Sequence, residues 1–301
     1  MKGISLMKNI SFVKKRHLFL KKAIPLLATI SPVTIWLLLL VAAPLSYVFY
    51  LSFLSTDGYK LIYKLTISNY RELLNPIYLE IYKNSFILAL LTTIVGILLG
   101  YPFAYHMARA ARNKKALMML LLMIPFWTNS LIRLNGWKTI LGKTGVLNTL
   151  LIKLNLINAP LEILYTKGAV LLGMVYILFP YMVLPIFASI DKLDFSLLEA
   201  AGDLGANSIK TFLHVTLPLT APGIFSGTIL VFIPSLGYFF VSDIMGGGKS
   251  QLIGNLIENQ FKAANNWPLG AAFSVLLIIS ILILVSIYKR TGGDMKNLGV
   301  V

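Results

Sequence analysis

Few residues in this chain could do chemistry. It contains no cysteine, which removes disulfides, thiolate metal sites and a cysteine nucleophile. The three histidines, His17, His106 and His214, are too scattered for metal-ligand spacing, so neither a metal nor a cofactor is expected. No paired carboxylates, histidine cluster or nucleophile constellation points to an enzyme. The run GGGKS, Gly246–Ser250, resembles half of a phosphate-binding loop, but that pattern requires glycine where Asp243 stands. What remains is one stretch of mixed charge and small residues, LLEAAGDLGANSIKTFLHVTLPL, Leu197–Leu219. Beside it stand a handful of polar and aromatic residues at or near the ends of apolar runs: Trp127, Asn129, Tyr181, Tyr238 and Asp243.

The elements that must position these residues follow from composition. Of 301 residues, 57% are hydrophobic and 13% charged, where a soluble domain carries about a quarter charged. Uncharged runs cover Ala23–Thr56, Asn84–Ala108, Ala116–Ile132, Gly168–Ile190, Thr211–Ser242 and Ala263–Tyr288. A spanning helix needs roughly 17–25 apolar residues, so the expectation is an all-α membrane protein with six transmembrane helices. Ala116–Ile132 is marginal in length, and Arg133 can snorkel to the interface. A basic start before an apolar run also resembles a signal peptide. The first run is 34 residues long, however, well beyond a signal h-region, and reads as an uncleaved helix.

Net charge +16 raises nucleic acid as a partner, but the Lys and Arg residues lie in loops flanking the apolar runs rather than on one face, so none is expected. The positive-inside rule fits better. Lys2, Lys8, Lys14, Lys15, Arg16, Lys21 and Lys22 precede the first helix without an acid among them, and Arg109, Arg112, Lys114 and Lys115 follow the second. Both segments are placed in the cytoplasm, and an even helix count puts the C-terminus there too. The chain then divides into a basic cytoplasmic tail (1–22), a first helix (23–56), an outer loop (57–83), a five-helix core (84–290) and a cytoplasmic tail (291–301). The first helix should kink at Pro25, Pro32 and Pro44. The outer loop should hold a short interfacial helix broken at Pro76.

The interrupting stretch reads as helix–glycine–helix at the cytoplasmic surface between the fourth and fifth spans. Ser196 and Glu199 have capping-box spacing. Gly205 suits the left-handed residue that ends the first short helix. Asn207 or Ser208 can cap a second, which should stop before Pro218. Taken alone, it could be a membrane-surface linker. Its residues, however, match the loop pattern E-A-A-x-x-x-G-x₉-I-x-L-P at Glu199, Ala200, Ala201, Gly205, Leu217 and Pro218, with Val215 in place of Ile. The chain therefore resembles the permeases of ABC importers, and the resemblance implies that architecture (MetI-like), with a coupling loop at 191–218. By that likeness Glu199, Ala200, Ala201, Asp203, Gly205 and Pro218 dock on a cytoplasmic ATPase subunit. The segments YPFAYHMAR, IPFWTNSLIRLNGW, VYILFPYMVLPI and FFVSDIMGG extend the likeness to permeases of spermidine/putrescine importers, from about Tyr70 to about Tyr288. Among these, VSDIMGG and FWTNSLIR favour the B-type subunit over its C-type partner. The implied assembly holds this chain in the lipid bilayer of the cytoplasmic membrane with one homologous C-type permease. Two copies of an ABC ATPase, where ATP is hydrolysed, and an extracytoplasmic polyamine-binding protein complete it.

A polyamine is a flexible chain of ammonium groups, and a path for it wants carboxylates or carbonyls and aromatic faces. Ionisable residues inside spans mark ion pathways, and this chain has almost none, which argues against an ion-coupled carrier. Trp127 and Asn129 fit a path lining; they equally fit an outer aromatic belt and interhelical glue. Asp243, beside Tyr238 at the end of the fifth span, fits a carboxylate at the outer mouth; it equally fits a cap on the turn at Gly246 or a partner for Lys249. Asn255, Glu258 and Gln260 are weaker candidates. Tyr181, with Tyr176 and Phe179, offers aromatic faces on the fourth span, though packing is the commoner use. Other small solutes, among them thiamine, ferric iron or putrescine alone, remain open. A channel or secondary carrier would leave the helix–glycine–helix stretch without a reason.

Overall fold

A computed structural model describes residues 30–57 and 60–290. The basic N-terminal tail, Pro25 and the 291–301 tail lie outside the described residues. α1 runs over Ile30–Leu51. A two-stranded hairpin follows, β1 (Ser55–Asp57) antiparallel to β2 (Lys60–Ile62), with Thr56 opposite Leu61. Then come α2 (Ser68–Glu72), α3 (Pro76–Arg109), α4 (Arg112–Met123), α5 (Ser130–Leu141), α6 (Val146–Lys153) and α7 (Lys167–Asp191). The chain continues through α8 (Ser196–Asp203), α9 (Ser208–Gly237), α10 (Phe239–Gly246), α11 (Ile253–Lys262) and α12 (Trp267–Arg290).

Five helices, α1, α3, α7, α9 and α12, are long and apolar enough to cross a membrane. A sixth span is present if one bent pair of helices counts as a single crossing. α4 continues as a 3₁₀ turn over Ile124–Trp127, and the chain then turns by 93° into the Ser130–Lys153 segment. The single helix expected over Ala116–Ile132 therefore ends early. Asn129 causes this by accepting from the Leu131 N–H at 2.8 Å and starting α5 as a new helix.

Pro76 does not break a helix but opens one. It sits at the first position of α3, where its missing N–H costs nothing, and the Asn75 side chain accepts from Ile77 N–H at 3.1 Å. The second span thus begins at Pro76 rather than Asn84, leaving α2 as the short helix of the outer loop. Two other prolines share a device. A proline ring collides with the carbonyl four residues back. Pro44 follows a π-helical turn at Leu38–Ala42, and Pro218 follows one at Phe212–Thr216. The wider turn makes room, so the helix starting at Ser208 does not stop before Pro218 but runs on to Gly237.

The core is the packing of α3, α7 and α9, with Met174, Leu178, Met182 and Ile186 of α7 buried in the centre. Close approach comes from small residues, the usual device of membrane helices. A Cβ on Gly223 would come within 2.6 Å of the Pro185 carbonyl, and one on Gly227 within 2.8 Å of the Met182 sulfur. α1 touches this core hardly at all. It buries only Leu51 at its end, while Trp36, Leu38, Leu39 and Leu40 stand exposed.

Candidate functional site

The structure separates the named residues into two places, the α8 turn and the cluster formed by α10 and α11.

α8 is a two-turn helix with none of its residues buried within the chain. The capping box expected from Ser196 and Glu199 does not form. Phe195 occupies the N-cap position without a side-chain cap, and the Asp194 carboxylate instead accepts from Ser196 N–H at 3.0 Å. Asp194 is better placed, because the helix begins at Ser196 itself rather than after it. Its carboxyl is held below the usual range, first by that backbone bond. At the other end Gly205 adopts φ +83°, as expected, and a Schellman pair closes the helix: Gly205 N–H donates to Gly202 O (2.9 Å) and Ala206 N–H to Ala201 O (3.0 Å). Asn207 then caps α9 through Lys210 N–H at 2.9 Å. Glu199, Ala200 and Asp203 are exposed and Ala201 half-buried, and Leu204 is 89% exposed at the tip. Pro218 is exposed within α9, just after its π-helical turn. A helix this short holds little stability of its own. This one has no fully buried residue and is followed by a leucine open to solvent.

The second place is the break in the fifth span. α9 ends at Gly237, Tyr238 (φ −78°, ψ 66°) leaves helical geometry, and α10 begins at Phe239. Asp243 therefore lies on a separate short helix, not on the end of the span. The break is sustained by α11. Asn255, buried, donates from Nδ2 to the Phe239 carbonyl (3.1 Å) and to Asp243 Oδ1 (2.6 Å), while its own Oδ1 accepts from Leu252 N–H (3.0 Å). Gly254 lets α11 approach, since a Cβ there would meet the Gly237 carbonyl at 2.7 Å. Backbone groups freed at membrane depth need such partners.

Asp243 neither caps the glycine turn nor pairs with Lys249: its partner is Asn255. Burial pushes its carboxyl above the usual range, and the neighbouring Glu258 carboxylate pushes it the same way, against the Asn255 bond and the Lys262 charge. Glu258 accepts from Lys262 Nζ at 2.7 Å, one turn along α11. Asp243, held by the Asn255 amide, thus lies close enough to the Glu258–Lys262 pair to feel both charges, the carboxylate more strongly than the ammonium. The GGGKS turn is structural. Gly247 (φ 56°) and Gly248 (φ 77°) turn the chain, Ser242 donates to the Ser250 carbonyl, and the Tyr165 ring packs on Gly247.

Of the aromatic candidates, Tyr181 is exposed on α7, and Tyr238 at the break packs its ring on Phe240. Trp127 is 79% exposed at the bend between α4 and α5. Asn129, exposed beside it, has its oxygen committed to the α5 cap. Arg133 does not snorkel outward. Its guanidinium lies 4.3 Å from the Phe126 ring centre and 5.5 Å from Tyr176, with Nε and Nη1 withdrawn from solvent. Sequence reading missed this stack, because Phe126 and Arg133 meet only across the bend between α4 and α5.

Known proteins place this arrangement. The family described as "binding-protein-dependent transport system inner membrane component" matches residues 77–291. The chain is 44% identical over 263 residues to the spermidine/putrescine transport system permease protein PotB of Haemophilus influenzae, covering 87% of this chain and 92% of that protein. It is 45% identical over 256 residues to PotB of Escherichia coli K12, covering 85% and 93%. Its fold matches that of a bacterial ABC transporter importing the acidic polysaccharide alginate, with TM-score 0.73 and 16% identity over 92% of this chain and 98% of the other. A second alginate transporter structure, in complex with a periplasmic protein bound to alginate pentasaccharide, matches at TM-score 0.71 and 16% identity, covering 90% and 96%. With the ABC-importer permease fold and this family match over most of its length, the chain belongs to the inner-membrane components of binding-protein-dependent transport systems.

Proposed function

We propose that this chain is the B-type permease of a spermidine/putrescine importer, and that Asp243 and Glu258 form a station for ammonium groups at the outer end of its path. The observation that carries the substrate class is the Asp243 carboxylate held by the buried Asn255 amide, with the Glu258 charge near it, in a chain whose spans otherwise hold almost no charge. The names of the relatives at 44% and 45% identity support the same class. Tyr238 and Tyr181 supply aromatic faces beside the break, and Trp127 and Asn129 stand at the bend of the third span. Alternating access moves this region as the two halves of the transporter rock.

The remaining assembly is read from the family, with surfaces of this chain that suit it. α8, with Glu199, Ala200, Ala201, Asp203 and Gly205, seats on a cytoplasmic ABC ATPase, two copies of which serve this permease and a homologous C-type permease. ATP is hydrolysed there and not by this chain. The bare apolar length of α1 fits packing against the partner permease or lipid. An extracytoplasmic binding protein delivers the polyamine. Both termini are cytoplasmic, by the Lys and Arg distribution.

The test is uptake of labelled spermidine by the assembly reconstituted in liposomes with binding protein outside and ATP inside. ATP-dependent uptake competed by putrescine supports the reading. Uptake of thiamine or ferric iron but of no polyamine sinks it.

A further inference from the structure

The cytoplasmic end of α3 carries Tyr101, Tyr105 and Arg109 at four-residue spacing, which places them on one stripe. That stripe meets the chain on both sides of α8. On the outgoing side, the buried Tyr101 has its hydroxyl 2.9 Å from Thr220 Oγ1, and its ring stands edge-on to Phe212 with centroids 5.6 Å apart. On the incoming side, the Arg109 guanidinium lies 5.6 Å from the ring centre of Phe195, the residue just before α8. The same guanidinium is 5.6 Å from the Tyr105 ring, and Arg109 Nη1 donates to the Tyr105 hydroxyl at 3.2 Å. Tyr105, Arg109, Phe195, Glu199, Ala206 and Phe212 wall a cleft of about 320 Å³ between α3 and the turn.

A segment held on one side swings about its attachment, whereas one held on both sides moves only with the body that holds it. α8 has no fully buried residue, only half-buried Leu198 and Ala201, so its orientation leans on these flanking links. The outgoing link is buried and continuous with α9. The incoming one combines the half-buried packing of Phe195 on the core with the Arg109 cation between two rings, next to the Lys115–Asp191 ion pair that ties α4 to the end of α7.

We propose that Arg109, oriented by Tyr105, is a positioning residue that fastens the entry of α8 to α3. A displacement of α8 by the ATPase then moves the second span instead of being absorbed by bending at the Asp191–Ser196 connection. This rests on the reading of α8 as the ATPase-docking helix.

The experiment measures spermidine transported per ATP hydrolysed by the full assembly in liposomes, together with the amount of ATPase that co-purifies. Arg109→Gln should leave the ATPase attached and hydrolysing, while the ratio falls at least about fivefold, the lower end of coupling between linked sites. Phe195→Leu should do the same. The double variant should be no worse than the worse single, because both break one link. Arg109→Lys, which keeps a cation over the rings, should recover much of the ratio. Tyr105→Phe keeps the packing and removes only the hydroxyl, so it stays informative if Arg109→Gln fails to reach the membrane, and its ratio should fall by a smaller factor. An unchanged ratio in Arg109→Gln, or in Tyr105→Phe should the first not insert, overturns the proposal, as do independent losses in the double variant. Failure of the docking reading looks different: Glu199→Arg would then leave both ATPase attachment and the ratio untouched.

Discussion

The Asn255 amide of α11 donates a 2.6 Å hydrogen bond to the Asp243 carboxylate of α10 while also holding the Phe239 carbonyl, so one side chain both sustains the break in the fifth span and orients its acid. Asp243→Asn keeps the shape but removes the charge. A hydrogen bond to a charged group contributes roughly 1.5–3 kcal/mol against 0.5–1.5 for a neutral one. Spermidine uptake, normalised to inserted protein, should therefore fall about tenfold, since 1.4 kcal/mol is one decade. Unchanged normalised uptake removes Asp243 from the path.

The raised carboxyl of Asp243 sets a pH dependence. An ammonium group needs the ionised form, and burial with the Glu258 charge moves protonation to higher pH than the ordinary value of about 3.9. As outside pH falls, uptake should begin to decline above that value. Asp243→Asn should flatten this acid limb while lowering the plateau. A limb identical in wild type and variant assigns the titration to another group.

At the docking turn, Gly205 holds φ +83° with open space around its Cα, so a side chain there suffers from backbone strain and not from collision. Gly205→Val should cost on the order of 1–3 kcal/mol locally. Glu199→Arg reverses a charge on the exposed face. Both variants should insert normally and lose co-purifying ATPase or substrate-stimulated hydrolysis. Full transport by the double variant would make α8 a plain connector.

Much of this was written in local patterns. The apolar runs and the Lys and Arg distribution give the spans, and the left-handed turn at Gly205 follows from glycine and its neighbours alone. The misread positions depend on distant partners or on equivalent local choices. Ser196 and Asp194 both suit a helix start, and the sequence does not say which of two neighbouring residues begins the helix. The break at Tyr238 is invisible locally because its support, Asn255 and Gly254, lies on another helix. Pro218 looks like a stop signal until the π turn before it is seen. The nearness of Asp243 and Glu258 is likewise a tertiary fact, which is why Glu258 stood low among the sequence candidates.

Orientation is checked by labelling. A single cysteine at Lys60, in β2 of the hairpin after α1, should react with an impermeant thiol reagent applied outside whole cells. One at Lys114, at the start of α4, should react only after the membrane is opened. The native chain has no cysteine, so the background is clean. The opposite pattern inverts the topology.

Trp127 separates a path residue from a belt residue. Its ring is 79% exposed at the bend between α4 and α5 and contributes little internal packing, so removing it should cost the fold little. A cation over an indole is worth roughly 0.5–2 kcal/mol depending on desolvation. Trp127→Leu should therefore lower spermidine uptake per inserted protein by about two- to thirtyfold, with Trp127→Phe milder because a weaker aromatic face remains. Asn129→Ala should behave differently. Its side chain caps α5 at Leu131, so its loss acts through stability, by about 0.5–2 kcal/mol, and should appear as less inserted protein rather than slower uptake per molecule. If Trp127→Leu instead reduces only the amount inserted, the indole is an interfacial anchor and the aromatic faces of the path are those of Tyr181 and Tyr238.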